Sequence, residues 1–159
     1  MSELRIEKPI VADVPLILEF VRDLAEYEKL ADSVAATEDR LRETLFGPNP
    51  SAHALLAYDK DDPVGFAIYF FNYSTFVGRP GLYLEDLFVR PEARGKGFGR
   101  ALLQHLARIA VERNCGRMEW AVLNWNEPAL GFYQSLGANP MADWIVFRLS
   151  GKALEDLAR

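Results

Sequence analysis

The stretch from Leu82 to Gly99, Leu-Tyr-Leu-Glu-Asp-Leu-Phe-Val-Arg-Pro-Glu-Ala-Arg-Gly-Lys-Gly-Phe-Gly, constrains this chain more than any other. It reads as a β-strand ending at Val89, a proline-containing turn, and a glycine-rich loop that opens into an amphipathic helix. The first amides of a helix have no intrahelical partner, and the helix dipole adds partial positive charge there. A loop without bulky Cβ atoms lets a phosphate approach those amides. Gly95, Gly97 and Gly99 supply that freedom and Arg94 and Lys96 supply charge, so a phosphate or pyrophosphate is expected on this turn. Taken alone, the same residues also describe an ordinary loop with solvated cations. Two familiar phosphate motifs do not fit. A P-loop needs Ser or Thr after its Gly-Lys, whereas Arg100 and Ala101 follow Gly99. A dinucleotide fingerprint needs wider glycine spacing and an acid ending the next strand.

The remaining chain can be read around this unit. Leu4-Arg5-Ile6-Glu7 alternates like a half-buried strand. Asp13 is placed to cap a helix carrying Leu16, Ile17, Phe20, Val21, Leu24 and Tyr27 at helical spacing, with the acidic end Glu26-Tyr27-Glu28. A second helix is expected from Thr37 to before Gly47-Pro48, then strands His53 to Tyr58 and Val64 to Tyr73 across a polar turn. Ser74 to Gly81 reads as a loop, and the helix after the glycines is expected to end at Gly116. Met118 to Leu123 reads as a strand, Glu127 to Leu136 as a helix capped by Gly137, Trp144 to Leu149 as a last strand, and Lys152 to Leu157 as a short helix. The sum is an α/β fold, a mixed sheet flanked by helices. With 159 residues, half of them hydrophobic, one domain spanning 1–159 is expected.

Charge and composition remove several functions. A net charge of −5 gives no field to gather nucleic acid and mildly favours a cationic small substrate. Cys115 is the only cysteine, and His53 and His105 lie in unrelated segments, so no metal site is expected. No apolar run approaches the roughly 20 residues of a membrane span, and no leader pattern precedes Leu4, so the expectation is a soluble cytoplasmic protein without membrane partners.

The segment Arg94-Gly95-Lys96-Gly97-Phe98-Gly99 resembles the acetyl-CoA motif of the GNAT-type N-acetyltransferase superfamily. Trp125-Asn126-Glu127-Pro128 and Phe132-Tyr133-Gln134-Ser135-Leu136-Gly137-Ala138 resemble that superfamily's last block. With Tyr83-Leu84-Glu85-Asp86, the chain is similar in particular to the diamine (spermidine/spermine) and thialysine acetyltransferases. The resemblance implies a mostly antiparallel central sheet whose two central strands splay apart around acetyl-CoA, and a homodimer. It implies that Leu87, Phe88 and Val89 run along the pantetheine, that Arg94 to Gly99, Phe98 included, hold the pyrophosphate, and that Asn126 contacts the cofactor.

Acetyl transfer to an amine poses defined problems. A lysine-like amine titrates near ~10.4, so freeing it of its proton at pH 7 costs about 4–5 kcal/mol. By resemblance Glu85 is the base for that proton, and Asp86 orients substrate or structure; both carboxylates could equally cap loops or pair with arginines. The leaving thiolate benefits from a donor, a role that the resemblance assigns to Tyr133, although an aromatic beside Phe132 is also ordinary core material. A bulge in the central strand would free an amide for the oxyanion. Glu26, Glu28 and Phe76 are further substrate-binding candidates. The polyamine enzymes carry an acid and a tryptophan where this chain has Tyr73-Ser74-Thr75-Phe76, which brings it closer to the thialysine branch. The expected function is therefore transfer of the acetyl group of acetyl-CoA to a small primary amine. Acetylation of a protein N-terminus or lysine, and a non-catalytic acyl-CoA sensor, are the alternatives.

Overall fold

The computed structural model describes residues 3–159, which form two compact units, one reaching to Ala121 and the other spanning Val122–Arg159. The first unit is built on a five-stranded sheet in the order β1-β2-β3-β4-β5. Its strands are β1 (Leu4–Glu7), β2 (His53–Asp59), β3 (Asp62–Ser74), β4 (Arg79–Val89) and β5 (Arg117–Trp120). The first four pair antiparallel and β5 runs parallel to β4. Tight connections join β2 to β3 and β3 to β4, the first through Lys60 at φ +56°, so each strand lies beside its sequence neighbour.

Both faces of the sheet are buried. Ala54, Leu56, Phe66, Ile68 and Phe88 form one core with Ile17, Phe20 and Leu24 of α1 (Val14–Tyr27). The rings of Phe20 and Phe66 stack there with centroids 5.2 Å apart, a contact worth roughly 0.5–1.5 kcal/mol beyond its area. Alternation sends Leu55, Ala67, Leu82 and Leu84 to the second face, where α3 (Phe98–Glu112) packs on β3, β4 and β5. The α3 stripe is Phe98, Leu102, Leu103, Leu106 and Ala110, one helical face read from its period. Packed beside α1 is α2 (Glu38–Phe46), whose Thr37 hydroxyl accepts the Arg40 amide, as expected of that cap.

The second unit contains α4 (Glu127–Ser135) and α5 (Gly151–Leu157). Gly137 follows α4 at φ +91°, the left-handed conformation expected of a helix stop.

Several expectations are corrected. Trp144 to Leu149 is not a strand: its apolar residues are exposed, Phe147 at 91%. A β-rich pattern becomes a strand only where a neighbouring backbone completes the ladder, and composition does not supply that neighbour. The expected loop from Ser74 to Gly81 shrinks to a tip, since cross-strand pairing carries β3 to Ser74 and starts β4 at Arg79. The helix α3 ends at Glu112, before Gly116, because Asn114 takes the left-handed turn at φ +58°. Of the expected Met118–Leu123 strand only Met118–Trp120 pairs, and the ladder starts one residue earlier at Arg117. The Asp13 carboxylate accepts the Ile10 amide, so it caps a preceding 3₁₀ turn instead of α1 itself.

Candidate active site

The central strand β4 changes character at Glu85. Ile68 on β3 stands opposite Asp86 and Tyr69 opposite Leu84, so Glu85 is one residue too many on its strand. This is the bulge the oxyanion argument called for. It also resets side-chain parity. Leu82 and Leu84 belong to the α3 face, whereas Asp86 and Phe88 belong to the α1 face, opposite Ile68 and Phe66. Unbroken alternation would put Leu84 and Asp86 on the same side, and the bulge sets them on opposite ones.

At the same point β4 loses its other neighbour. The parallel ladder joins Gly81–Leu84 to Arg117–Trp120 and ends there, so Glu85 to Val89 have a strand partner on the β3 side alone among the described residues. Backbone amides on the open edge are available to a ligand, and Leu87 and Val89, both half-buried, lie along it.

Three carboxylates gather at this opening. Asp86 is pushed up to about 7, first by burial and then by the negative charges of Glu85 and Glu28. Glu28, at the C-cap of α1, is raised by burial and by Glu85. Tyr83 is raised by burial, by Glu85 and by Glu119. A carboxylate raised by the negative charge of its neighbours is poised for a cation, since an ammonium would relieve the repulsion. Glu26 belongs elsewhere: its charge acts on Asp23, one turn back on the exposed side of α1. Phe76 lies at the β3–β4 tip, 95% exposed, and the six strand residues from Arg79 to Leu84 set it roughly 20 Å from Glu85.

Past Val89, a 3₁₀ turn at Pro91–Ala93 leads into the glycine loop. Gly95 and Gly97 sit at φ +81° and +83°, and nothing lies within 4 Å of where a Cβ would stand on either. Gly97 is the N-cap of α3 with no side-chain cap, and no acid occupies the first turn. Arg94 and Lys96 are exposed and Phe98 is buried. An uncapped, acid-free helix start approached by bare backbone fits a pyrophosphate. Gly99 lies inside the first turn of α3, where an added Cβ would make only an ordinary contact with Val89.

In the second unit, Asn126 is the N-cap of α4 and its Oδ1 accepts the Ala129 amide at 3.4 Å, so its side chain organises that helix start. Tyr133 is half-buried on α4, its ring 5.7 Å from that of Phe132. Sequence reasoning underrated Asp86, because the bulge that buries it beside two acids is not readable from alternation. No group of three His, Cys, Asp or Glu able to hold a metal occurs among the described residues, and no described helix is long and apolar enough to cross a membrane.

Known proteins resemble this chain over its full length. The chain is 39% identical to the thialysine N-epsilon-acetyltransferase of Sus scrofa, with 99% of both chains covered. It is 32% identical to the L-ornithine N5-acetyltransferase NATA1 of Arabidopsis thaliana, over 97% of this chain and 86% of that one. Among solved structures, an integron cassette protein from the mobile metagenome of V. cholerae superposes with a TM-score of 0.81 at 32% identity, covering 100% of this chain and 99% of the other. Residues 18–138 match the acetyltransferase (GNAT) family. With the family match over most of its length and a full-length relative at 39% identity, this chain belongs to the acetyltransferase (GNAT) family.

Proposed function

We propose that this N-acetyltransferase uses acetyl-CoA to acetylate the side-chain amine of a small amino acid of the thialysine or ornithine kind, or a related diamine. The observation that carries this reading is the trio Glu28, Glu85 and Asp86 at the open half of β4. Two relatives named for such amines support it. The donor's pyrophosphate would rest on the amides from Arg94 to Gly99 and its pantetheine along Leu87, Phe88 and Val89; for Asn126 and Tyr133, in the second unit, a cofactor role is what the family resemblance implies. The chain works in this reading as a single cytoplasmic domain, 1–159, assembled as a homodimer.

Each residue then has a task. Glu28 attracts the ammonium and Glu85 takes its proton, directly or through water. The freed amine attacks the acetyl carbonyl, and the bulge amide faces the developing oxyanion. The role that the family resemblance implies for Tyr133 is to give a proton to the departing thiolate. A second reading of the base is favoured by one observation: Asp86 titrates at about 7, the range in which a general base is most effective at neutral pH.

A thiol-release assay with acetyl-CoA and a panel of thialysine, ornithine, lysine, putrescine, spermidine and a histone-like peptide tests the proposal. Saturable release with a small amine is expected. Release with the peptide alone would replace it by protein acetylation, and acetyl-CoA binding without release from any amine would favour a sensor.

A further inference from the structure

Of the two cations that the sequence assigns to the phosphate loop, Arg94 is already engaged. The Arg94 Nε donates to the Val89 carbonyl at 2.9 Å, and its guanidinium carbon lies 4.8 Å from the centroid of the Tyr27 ring and 5.3 Å from that of Phe88. Tyr27 and Phe88 approach each other as well, with centroids 6.4 Å apart. Arg90 makes a parallel link: it pairs with Glu19 at 2.9 Å and lies 4.8 Å from the centroid of the Phe20 ring. Phe20 and Tyr27 are two turns apart on α1, so the two arginines on either side of the 3₁₀ turn tie one face of that helix to the end of β4.

The tie made by Arg94 lies at the last turn of α1, beside the backbone bonds that close the helix. Glu28 and Lys29 bond back to Leu24 and Glu26, Leu30 bonds to Ala25, and Lys29 already sits at φ +61°. Fraying here would carry Glu28 away from Asp86. Only a planar guanidinium can donate from one edge to a carbonyl while its face stacks on a ring, so lysine is no substitute.

We propose that Arg94 is a positioning residue for the amine site, holding the Tyr27–Glu28 end of α1 against the end of β4 and so keeping Glu28 beside Asp86, instead of serving as the loop's phosphate ligand. The inference rests on the reading of Glu28, Glu85 and Asp86 as the amine-binding cluster. Phosphate recognition falls to the loop amides, whose geometry does not require the Arg94 side chain.

Arg94→Lys separates the two roles because it keeps the charge and loses the planar stack. With the amine that turns over best, KM for the amine is expected to rise about fivefold, the equivalent of one cation–π contact. KM for acetyl-CoA should stay within about twofold, because a retained cation satisfies any long-range attraction to phosphate. Tyr27→Leu should reproduce the effect, and the double variant should be no worse than either single one, the mark of one shared contact. A rise confined to the acetyl-CoA KM overturns the proposal and restores Arg94 as a phosphate ligand. Hydrogen exchange at the amides of Glu28 to Leu30 supplies a readout without turnover. Faster exchange in both variants supports the strut, and unchanged protection refutes it. Faster exchange in a protein that acetylates no amine would sink the substrate reading while leaving the strut in place.

Discussion

From Gly81 to Leu84, β4 is bonded to β3 on one side and β5 on the other, and Leu82 and Leu84 are buried on the α3 face. From Glu85 to Val89 the same strand has β3 alone, carries an extra residue at its bulge, and presents Glu85 to solvent and Asp86 to the end of α1. One continuous strand thus holds a saturated half that stabilises and an unsaturated half that carries the proposed site. Backbone groups paired in a ladder have nothing left to offer a ligand, and the proposed site accordingly lies where the pairing runs out.

The sharpest way to break this division is to cross it with substitutions. Leu82→Ala in the saturated half should cost about 2–5 kcal/mol of stability, read from denaturant unfolding, whereas Glu85→Gln should leave the midpoint nearly unchanged and lower kcat by roughly 10²-fold or more. If Glu85→Gln unfolds the protein as readily as Leu82→Ala, the two halves are not distinct. Next in size is Gly97→Val. A β-branched residue at φ +83° is strained even though no atom blocks its Cβ, and at about 1–3 kcal/mol the strain should weaken acetyl-CoA ten- to a hundredfold by calorimetry. Unchanged affinity would dissociate the glycine loop from the donor.

Asp86 gives a pH test. Its folded value near 7 stands above the ordinary 3.8, so the folded protein binds a proton that the unfolded chain has lost. This group therefore makes stability fall as pH rises from about 4 to about 7, and its penalty is complete above 7. Asp86→Asn should flatten that fall, gaining stability relative to the parent at pH 8 but not at pH 4. If Asp86 is the proton acceptor, kcat/KM of the parent rises with pH through about 7, and the substitution removes that limb. A limb that survives Asp86→Asn but is lost in Glu85→Gln returns the role to Glu85. Smallest is Glu28→Gln, which removes one of the charges that raise Asp86. The pH midpoint should shift downward and the amine KM should rise about three- to tenfold, in keeping with loss of one charge-assisted contact. An amine KM that does not move would exclude Glu28 from substrate binding.

Much of this division was legible in the linear pattern. Alternation and turn residues marked β1 to β4, the 3.6 period marked α1 and α3, and Thr37 announced α2. The glycines before Phe98 announced a helix start that backbone alone approaches, and the tertiary structure bears that out with Gly97 as an uncapped N-cap. Trp144 to Leu149 misled for the opposite reason: strand propensity is a property of side chains, whereas a strand is a property of two backbones. Glu26 and Glu28 looked equivalent in sequence, yet two residues along a helix point about 200° apart around its axis, and of the two only Glu28 acts on Asp86.

The sequence by itself determined the local elements and the motif of the donor site, because capping, periodicity and glycine freedom act over a few residues and carry their physical cause with them. Tertiary structure alone decided where the strand opens, that a single inserted residue turns Asp86 from the face of Leu84 to the face of Phe88, and that Arg94 stacks on Tyr27. Those outcomes depend on register between strands and on contacts between α1 and β4, which are distant in the chain. Burial then raises Asp86 toward neutrality, and no reading of isolated residues contains that desolvation.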